Sequence, residues 1–317
     1  MKVLFVSSGN TGKVGTLVKN QANSLIKEGV DVHCFPIKGK GIWGYLKNVS
    51  KIRKTFIKGN YDLIHAHYSF SAFAASLSGR FPIVVSLMGS DAYMSFILRL
   101  VTRFFCNYCW DATIVKTNKM RNLLNIEKAV VIPNGVNLEI FKPMPKTFAR
   151  KKIGFDLNKK FILFIADPNR KEKNFELAKK SFNILKKKLK NVELVVVNNV
   201  SNYMIPYYMN ASDVLILTSL WEGSVNVVKE AMACNLPIVS TDVGDVKENL
   251  KSLVNSYTCP HNPEIIADKL FEVLNSTIKS NGRNVLIKKG LDSQSVAKNI
   301  ISIYDEVIKK YTRRNNS

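Results

Sequence analysis

The chain has 317 residues, of which 46% are hydrophobic and 22% charged, the balance of a globular protein long enough for two domains. It has no apolar run long enough for a membrane-spanning helix or a secretion signal, and its five scattered cysteines argue against a disulfide framework, so we expect a cytoplasmic protein. The formal net charge of +23 attracts polyanions such as phosphorylated substrates, anionic lipid or nucleic acid, although a lysine-rich composition alone contributes to it.

The first elements form a βαβ unit, with strands at Val3–Val6 and Val30–Phe35 on either side of a helix. The loop after the first strand is rich in glycine. Gly9, Gly12 and Gly15 are spaced GxxGxxG, which matches neither the dinucleotide fingerprint nor a P-loop. The loop is therefore a weak signal for phosphate binding.

A basic segment follows, because residues 32–61 contain seven basic and no acidic side chains. Four apolar residues recur at helical spacing and predict a buried face: Leu46, Val49, Ile52 and Phe56. Four lysines recur on another face: Lys47, Lys51, Lys54 and Lys58. With Trp43 and Tyr45 before it, this helix has the pattern of a contact with a membrane surface, and equally that of an ordinary solvated helix.

Two further strands end in polar residues. Tyr61–Ala66 leads into His67, and Pro82–Leu87 leads into Gly89 and Asp91. Because ligands bind at the carboxyl ends of parallel strands, the histidines at the end of the first of these strands lie where a cleft would be. His65 and His67, at the end of the strand that begins at Tyr61, would need a third ligand to hold a metal, and the sequence does not supply it.

The segment Phe96–Trp110 predicts an aromatic helix that carries Arg99 and Arg103. We expect it to pack in the core, with an acceptor-side or lipid-facing surface as the alternative. Cys106 and Cys109 form a lone CxxC on this helix, for which burial is expected rather than a metal or redox role.

The second half of the chain again begins with strands. Prolines and lysines interrupt any pattern at about 143–158, where we place a linker, and strands follow at Phe161–Ala166 and Val192–Val197. Arg170 and Lys173 lie in the loop after the first of these strands. Without further context they would be ordinary surface charges.

Two glutamates then follow a buried strand, Val214–Thr218. Glu222 lies in the turn after this strand, and Glu230 lies nearly two turns into the helix that Ser224 is expected to cap. The first N–H groups of such a helix and the positive end of its dipole suit a phosphate or diphosphate. The glutamates could flank a ligand, or they could complement the helix dipole and a solvated face.

This stretch resembles the signature of the family 4 retaining glycosyltransferases. Glu222, Gly223 and Ser224 match its first part, Glu230 begins the Glu-Ala-Met-Ala run of its second part, and Pro237 leads the next strand. The segment Pro133–Pro143 also resembles the passage between the domains of these enzymes, and the similarity runs over nearly the whole chain.

The resemblance implies a GT-B fold, an α/β architecture in which two Rossmann-like domains face each other across a cleft. Residues 1–145 would be the acceptor-binding domain and residues 146–294 the nucleotide-sugar-binding domain. Residues 295–317 would hold a final helix, predicted at Ser295–Lys310, that crosses back onto the first domain.

The same resemblance implies roles for individual residues. Arg170 and Lys173 would clamp the donor diphosphate, Glu222 would hold hydroxyls of the donor sugar, and Glu230 would hold the ribose. The remaining donor-side positions are the helix start, the base-framing segment and the first loop: Gly223, Ser224, Val225, Asn226, Ile205 and Gly15. On the acceptor or sugar side the candidates are His67, Gly89 and Asp91.

Two departures from the family pattern concern the donor. Met88 stands where many relatives have a histidine beside the transferred sugar, and Asn198-Asn199 replaces a Gly-x-Gly turn near the nucleobase. The diphosphate-binding residues are unaffected. No DxD motif occurs, so neither a divalent metal nor another cofactor is expected.

The function implied is retaining transfer of a sugar from a UDP- or GDP-linked donor to a glycan or lipid-linked acceptor in the synthesis of cell-surface polysaccharide. The basic first half of the chain suggests peripheral contact with an anionic membrane. A hydrolytic glycosidase also uses two carboxylates but does not need Arg170 and Lys173. A nucleotide-sugar epimerase of similar fold and a basic nucleic-acid-binding protein are competing hypotheses, although no nucleic-acid reader motif is present and we expect no nucleic-acid partner.

Overall fold

A computed structural model of the chain describes residues 1–10, 12–39 and 41–315. It divides into two compact units. Unit 1 consists of Met1–Gly135 and the chain from Ser293 onward, and unit 2 consists of Val136–Asp292.

The strands and helices alternate along the chain. The strands are β1 (Lys2–Ser8), β2 (Asp31–Ile37), β3 (Leu63–His67), β4 (Ile83–Ser86), β5 (Ala112–Val115), β6 (Val130–Val131), β7 (Lys160–Ile165), β8 (Val192–Val197), β9 (Val214–Leu217), β10 (Ile238–Thr241) and β11 (Tyr257–Cys259). The helices are α1 (Thr16–Lys27), α2 (Gly41–Leu46), α3 (Val49–Gly59), α4 (Ser69–Leu77), α5 (Phe96–Tyr108), α6 (Asn118–Leu124), α7 (Lys146–Ile153), α8 (Phe175–Lys188), α9 (Ile205–Ala211), α10 (Asn226–Ala233), α11 (Val246–Leu250), α12 (Pro263–Asn275), α13 (Gly282–Lys288) and α14 (Ser293–Asn315). Short 3-10 turns lie at Gly89–Tyr93 and Lys171–Lys173.

The described part of unit 1 forms a six-stranded parallel sheet in the order β2-β1-β3-β4-β5-β6. The chain runs outward from β1 to β2 and then returns to β3 on the other side of β1. The point where strand order reverses therefore lies between β1 and β3, and ligands of open α/β sheets bind at the carboxyl ends of such strands. The glycine-rich loop and His67 are at these strand ends.

The core of unit 1 lies on both faces of this sheet. Val3 and Phe5 of β1 pack on one face with α1 and α14, and Leu4 and Val6 pack on the other face with α3 and α4. This alternation follows from the period of two in a strand. The apolar positions of the last helix that point into the sheet are buried: Val296, Ile300, Tyr304 and Val307.

Unit 2, every residue of which is described, forms a five-stranded sheet of parallel strands in the order β11-β10-β9-β7-β8. Helices α9, α10 and α13 cover one face and α8 and α12 the other. Here the strand order reverses between β7 and β9. Both units are Rossmann-like α/β layers, which confirms the fold class predicted from the sequence.

The start of unit 2 differs from the predicted domain division at residue 145. Val136 and Phe141 are buried in the core of unit 2, so that unit begins well before the predicted linker. Residues 143–158 do not form a simple linker either. They contain α7, whose Arg150 is buried and lies 3.0 Å from Asp213. An ion pair formed across 63 positions of sequence is not visible in a local pattern.

Two sequence predictions for unit 1 were wrong in part. Leu46 is 42% exposed, because the predicted single helix is interrupted between α2 and α3. Of the predicted apolar stripe, only Ile52 and Phe56 are buried. Helix α5 does not pack mainly in the core, since most of its apolar side chains are exposed. Cys106 is buried as expected, whereas Cys109 is exposed. Within the described residues no helix is long and apolar enough to cross a membrane.

Candidate functional site

The candidate site of unit 2 is built from the loops that follow β7 and β9, at the point where strand order reverses. Three hydrogen bonds join the two loops. Leu220 N donates to Glu172 O at 2.8 Å, and Thr218 Oγ1 donates to the carbonyl oxygens of Lys173 and Asn174 at 3.1 and 3.0 Å. These bonds fix the loop of the basic residues against the loop of the first glutamate.

Lys173 and Glu222 form an ion pair at this position, with Lys173 Nζ donating to Glu222 Oε1. Their side chains are only 16% and 17% exposed, so solvent screens the pair weakly. Ser219 Oγ donates to the same carboxylate oxygen at 2.8 Å, and Ser219 O accepts a 2.8 Å bond from Thr241 Oγ1. Lys173 and Glu222 are thus one positioned pair and not two independent groups.

Arg170 is held differently from Lys173. Its side chain is 56% exposed and pairs with Glu172, with Nε 2.7 Å from Glu172 Oε1. The loop that carries it is fixed by Asp167, whose Oδ1 accepts from Asn169 N at 2.9 Å. An exposed ion pair contributes at most about 1 kcal/mol, so an anionic ligand can readily draw this guanidinium away from Glu172.

The start of α10 is organised by Asp245. Val225, not Ser224, is the N-terminal capping residue, and Val225 N donates to Asp245 Oδ1 at 3.0 Å. Ser224 Oγ donates instead to Asp245 Oδ2 at 2.7 Å and accepts from Lys229 Nζ at 2.8 Å. The predicted cap at Ser224 was therefore wrong, because its hydroxyl is engaged by a carboxylate from the next loop and by a lysine of the helix itself.

Lys229 is fully buried beside this network, and burial lowers its pKa to about 8 while Asp245 and Glu230 oppose that change. Gly223 lies directly against Gly244, whose φ is +57°. A Cβ on Gly244 would come within 2.0 Å of Gly223 O. The turn that carries Glu222 can approach the loop after β10 this closely only if residue 244 is glycine.

Glu230 lies on α10 and keeps part of its surface exposed. Burial of its carboxyl group nevertheless raises the pKa to about 7, against the opposing charge of Lys229. Near neutral pH this group is therefore poised between its neutral and ionised forms. A carboxyl group in that condition responds strongly to any hydrogen-bond donor that a ligand supplies.

The predicted base-framing region lies at the start of α9. Ile205 is 7% exposed and packs in the core of unit 2, so its backbone and neighbours, more than its side chain, can meet a ligand. Asn199 has a φ of +55° in the turn after β8. Asparagine tolerates this left-handed conformation better than most residues, which is how the turn forms without the glycines of the family pattern.

In the first loop of unit 1, two of the three glycines are required, each for a different reason. A Cβ on Gly9 would lie 2.5 Å from Pro36 Cβ, and Gly12 has a φ of +80°. Gly15 has neither constraint, since it is extended at the N-terminal end of α1 and no described atom lies within 4 Å of a Cβ built there. Gly15 is thus placed at a helix start at the reversal point of the sheet.

His67 and Asp91 are buried more deeply than expected for groups that meet a ligand. Burial, together with the charge of Lys116, lowers the pKa of His67 to about 3, and its Nε2 lies 2.7 Å from Gln21 Oε1. No described residue hydrogen-bonds its buried Nδ1. Asp91 accepts from Met88 N at 2.6 Å and from Ser69 N at 3.2 Å, and burial raises its pKa to about 6. Asp91 therefore joins the loops after β3 and β4, with Gly89 at the start of its turn.

Comparison with known families decides how these loops are interpreted. The model described as Glycosyltransferase Family 4 matches residues 14–140, and the model described as Glycosyl transferases group 1 matches residues 199–276. The chain therefore belongs to the family 4, or group 1, glycosyltransferases. The resemblance seen in the sequence is confirmed, and the glycosyltransferase class is favoured over a glycosidase or a nucleic-acid-binding protein.

Individual proteins agree with this assignment. The glycosyltransferase is 28% identical over 298 residues to an uncharacterized glycosyltransferase of Methanocaldococcus jannaschii, covering 85% of this chain and 82% of that protein. It is 27% identical over 210 residues to a putative teichuronic acid biosynthesis glycosyltransferase of Bacillus subtilis, covering 58% of this chain and 54% of that one. Anabaena HepE, solved with UDP, superposes with a TM-score of 0.76 at 18% identity over 96% of this chain and 100% of its own.

Three residues of the glycosyltransferase site could not be recognised from sequence: Ser219, Lys229 and Asp245. Ser219 positions Glu222, and the other two organise the start of α10. The one local signal was the position of Lys229 directly before Glu230. Asp245 lies in the loop after β10, so its role depends on a contact that only the folded sheet creates. Among the described residues, no group of three or more His, Cys, Asp or Glu is placed to hold a metal ion.

Proposed function

We propose that this glycosyltransferase moves a sugar from a nucleotide diphosphate sugar to a hydroxyl of a glycan or lipid-linked acceptor, with retention of configuration at the anomeric carbon. The observation that carries the proposal is the Lys173–Glu222 pair, which lies at the reversal point of the unit 2 sheet beside the start of α10. This is where open α/β sheets bind nucleotides. A UDP- or GDP-linked donor fits, and Anabaena HepE was solved with UDP.

The chemical task is to stabilise the departing nucleoside diphosphate as negative charge grows on it. Arg170 is exposed and weakly held, so it can close on the diphosphate, whereas Lys173 is already in place. The positive end of the α10 dipole adds to this field. Cationic side chains then serve where other transferases use a divalent metal, and we propose that transfer needs none.

Glu222 is proposed to orient hydroxyls of the donor sugar and not to attack the anomeric carbon. Its Oε1 accepts from Lys173 Nζ and Ser219 Oγ, and these two contacts hold the carboxylate in one orientation. Glu230 is proposed to receive the ribose hydroxyls. The backbone at Ile205 and the residues beside it would frame the base.

The proposed acceptor belongs to cell-surface polysaccharide synthesis. A Bacillus subtilis relative is named for teichuronic acid biosynthesis. Unit 1 has 23 Lys and Arg against 8 Asp and Glu, a formal net charge of +15, so an acceptor carried on an anionic membrane would be attracted to it. We propose a cytoplasmic enzyme that binds the membrane surface peripherally.

The test is the thermal stability of the protein with UDP, GDP, ADP and their sugars, each with and without EDTA. A ligand at about 100 times its Kd adds about 2.7 kcal/mol to the free energy of unfolding, a clear rise in Tm. We expect UDP or GDP to give this rise and EDTA to leave it unchanged. A protein that no nucleotide stabilises would contradict the proposal, and the anomeric configuration of the product, read by NMR, tests retention.

The affinity for the stabilising nucleotide should rise with pH in a way that depends on Glu230. Because the pKa of this group in the unliganded protein is about 7, it is mostly protonated at pH 6, and ribose hydroxyls that donate to the carboxylate must first displace that proton. Relative to Glu230→Gln, wild-type affinity should therefore increase about tenfold from pH 6 to pH 8.

Calorimetric titrations of the wild-type protein and of Glu230→Gln at pH 6 and pH 8 measure the ratio of their nucleotide affinities. Ionisation of the nucleotide phosphate affects both proteins equally and cancels. A ratio that does not change with pH would remove Glu230 from the ribose contact.

A further inference from the structure

Helix α5 of unit 1 leaves a wide apolar face in solvent. Six of its side chains are between 37% and 77% exposed: Phe96, Ile97, Leu100, Val101, Phe104 and Tyr108. At 3.6 residues per turn they lie on one continuous arc of about 140°. A contiguous apolar surface of this kind is characteristic of an interaction site.

The opposite side of α5 is sufficient to hold the helix in unit 1. Thr102 and Cys106 are buried, and the Phe105 ring packs 4.9 Å from that of Phe73 on α4 and 5.9 Å from that of Trp110. The exposed face is therefore not required by the core. Packing within unit 1 therefore does not account for its six exposed apolar side chains.

Basic groups border this face at both its edge and its end. Arg99 and Arg103 follow each other along one edge of the arc. At the carboxyl end, Tyr108 lines a cavity of about 190 Å³ together with Lys128, Lys310 and Arg314. Asp111, which is 3.5 Å from Arg314, is the acidic residue of this cavity. Three cations thus face one carboxylate next to the apolar arc.

From this juxtaposition we propose that α5 is the membrane-docking element of the enzyme. Its apolar face enters the interface of an anionic bilayer, and the cavity of Lys128, Lys310 and Arg314 receives an anionic headgroup. Aliphatic and aromatic side chains beside cations are what such an interface binds. The inference rests on the membrane contact in the proposed function and assigns it to a defined surface.

Charge also distinguishes this occupant from a second copy of the chain. Unit 1 carries a formal net charge of +15, so two copies meeting through this face would repel each other. An anionic bilayer has the complementary charge, and each basic residue held near it strengthens binding about fivefold.

The experiment measures binding of the full chain to vesicles of phosphatidylglycerol and of phosphatidylcholine by co-sedimentation. Wild type should bind the anionic vesicles and release as salt rises. Ile97→Gln/Phe104→Gln should weaken binding about tenfold or more, because two apolar side chains no longer leave water. Lys128→Gln/Lys310→Gln should weaken it by a similar factor.

Helix α1 supplies matched controls, because it packs on the other face of the sheet. Leu17 and Ile26 are 47% and 50% exposed, so Leu17→Gln/Ile26→Gln removes comparable apolar surface. Lys19→Gln/Lys27→Gln removes the same charge. Both control pairs should bind vesicles within about twofold of wild type, and all variants should keep the wild-type Tm and its rise with nucleotide.

Three results would overturn the inference. If the wild-type protein does not bind anionic vesicles, the proposed membrane contact is wrong. The nucleotide-dependent rise in Tm still tests the proposed sugar transfer separately. Loss of binding in Lys51→Gln/Lys54→Gln, with the α5 variants unaffected, would assign the contact to α3. A lipid-free dimer that Ile97→Gln/Phe104→Gln makes monomeric in sedimentation velocity would identify a second copy as the occupant.

Discussion

Replacing Lys173 with alanine should lower the turnover of sugar transfer by about 10²–10³-fold while the protein remains folded. Lys173 is one of the two cations proposed to meet the departing diphosphate. It is the one already positioned, because its ammonium group pairs with Glu222 and its carbonyl oxygen accepts from Thr218 Oγ1. The loss should appear in kcat more than in KM, because charge on the diphosphate grows in the transition state. Steady-state kinetics with the donor identified by thermal shift measures it.

The matched control is Lys171→Ala. Lys171 lies two positions away in the same 3-10 turn and is exposed to solvent. Its loss should leave turnover within about twofold of wild type. If Lys173→Ala kept full activity, or if both variants lost activity equally, the proposed role of Lys173 would have to be abandoned.

Replacing Gly244 with alanine should lower the free energy of unfolding by about 2–4 kcal/mol and weaken nucleotide binding. The φ of +57° strains any side chain, and the added Cβ would come within 2.0 Å of Gly223 O. Since the atoms that this Cβ would meet belong to the backbone of Gly223 and Glu222, a rotamer change cannot relieve the clash. The turn bearing Glu222 must move, and with it the carboxylate that Lys173 holds.

Gly154→Ala separates the two causes. Gly154 has a φ of +75° but nothing within 4 Å of a Cβ, so alanine there meets the conformational cost alone, about 1 kcal/mol. Urea unfolding of the two variants should therefore differ by the cost of the clash. Only Gly244→Ala should lose nucleotide affinity, and equal effects in the two variants would show that the contact with Gly223 is unimportant.

The sequence was most informative where function depends on residues close together in the chain. The strand, turn and helix around Glu222 and Glu230 form a local unit, and their spacing was sufficient to indicate both the family and the fold. Hydrophobic periodicity identified the buried strands and the amphipathic helices, because the spacing of apolar residues in each element reflects which of its faces is buried. The alternation of these strands and helices along the chain then predicted parallel sheets. Arg170 and Lys173 were found by their place in the family pattern and not by any property of their own loop.

Only the tertiary structure decided how these residues are held. Lys173 meets Glu222 across 49 positions of sequence, and Asp245 reaches the start of α10 across 20. Both contacts arise because parallel strands bring their carboxyl ends to one edge of a sheet, and neither has a periodic signature. The exposure of α5 was also undecidable from sequence, since an aromatic amphipathic helix has the same pattern whether its apolar face meets a core or a membrane. Tertiary packing decides between the two, because it determines which helix faces stay exposed to solvent once both faces of the sheet are covered.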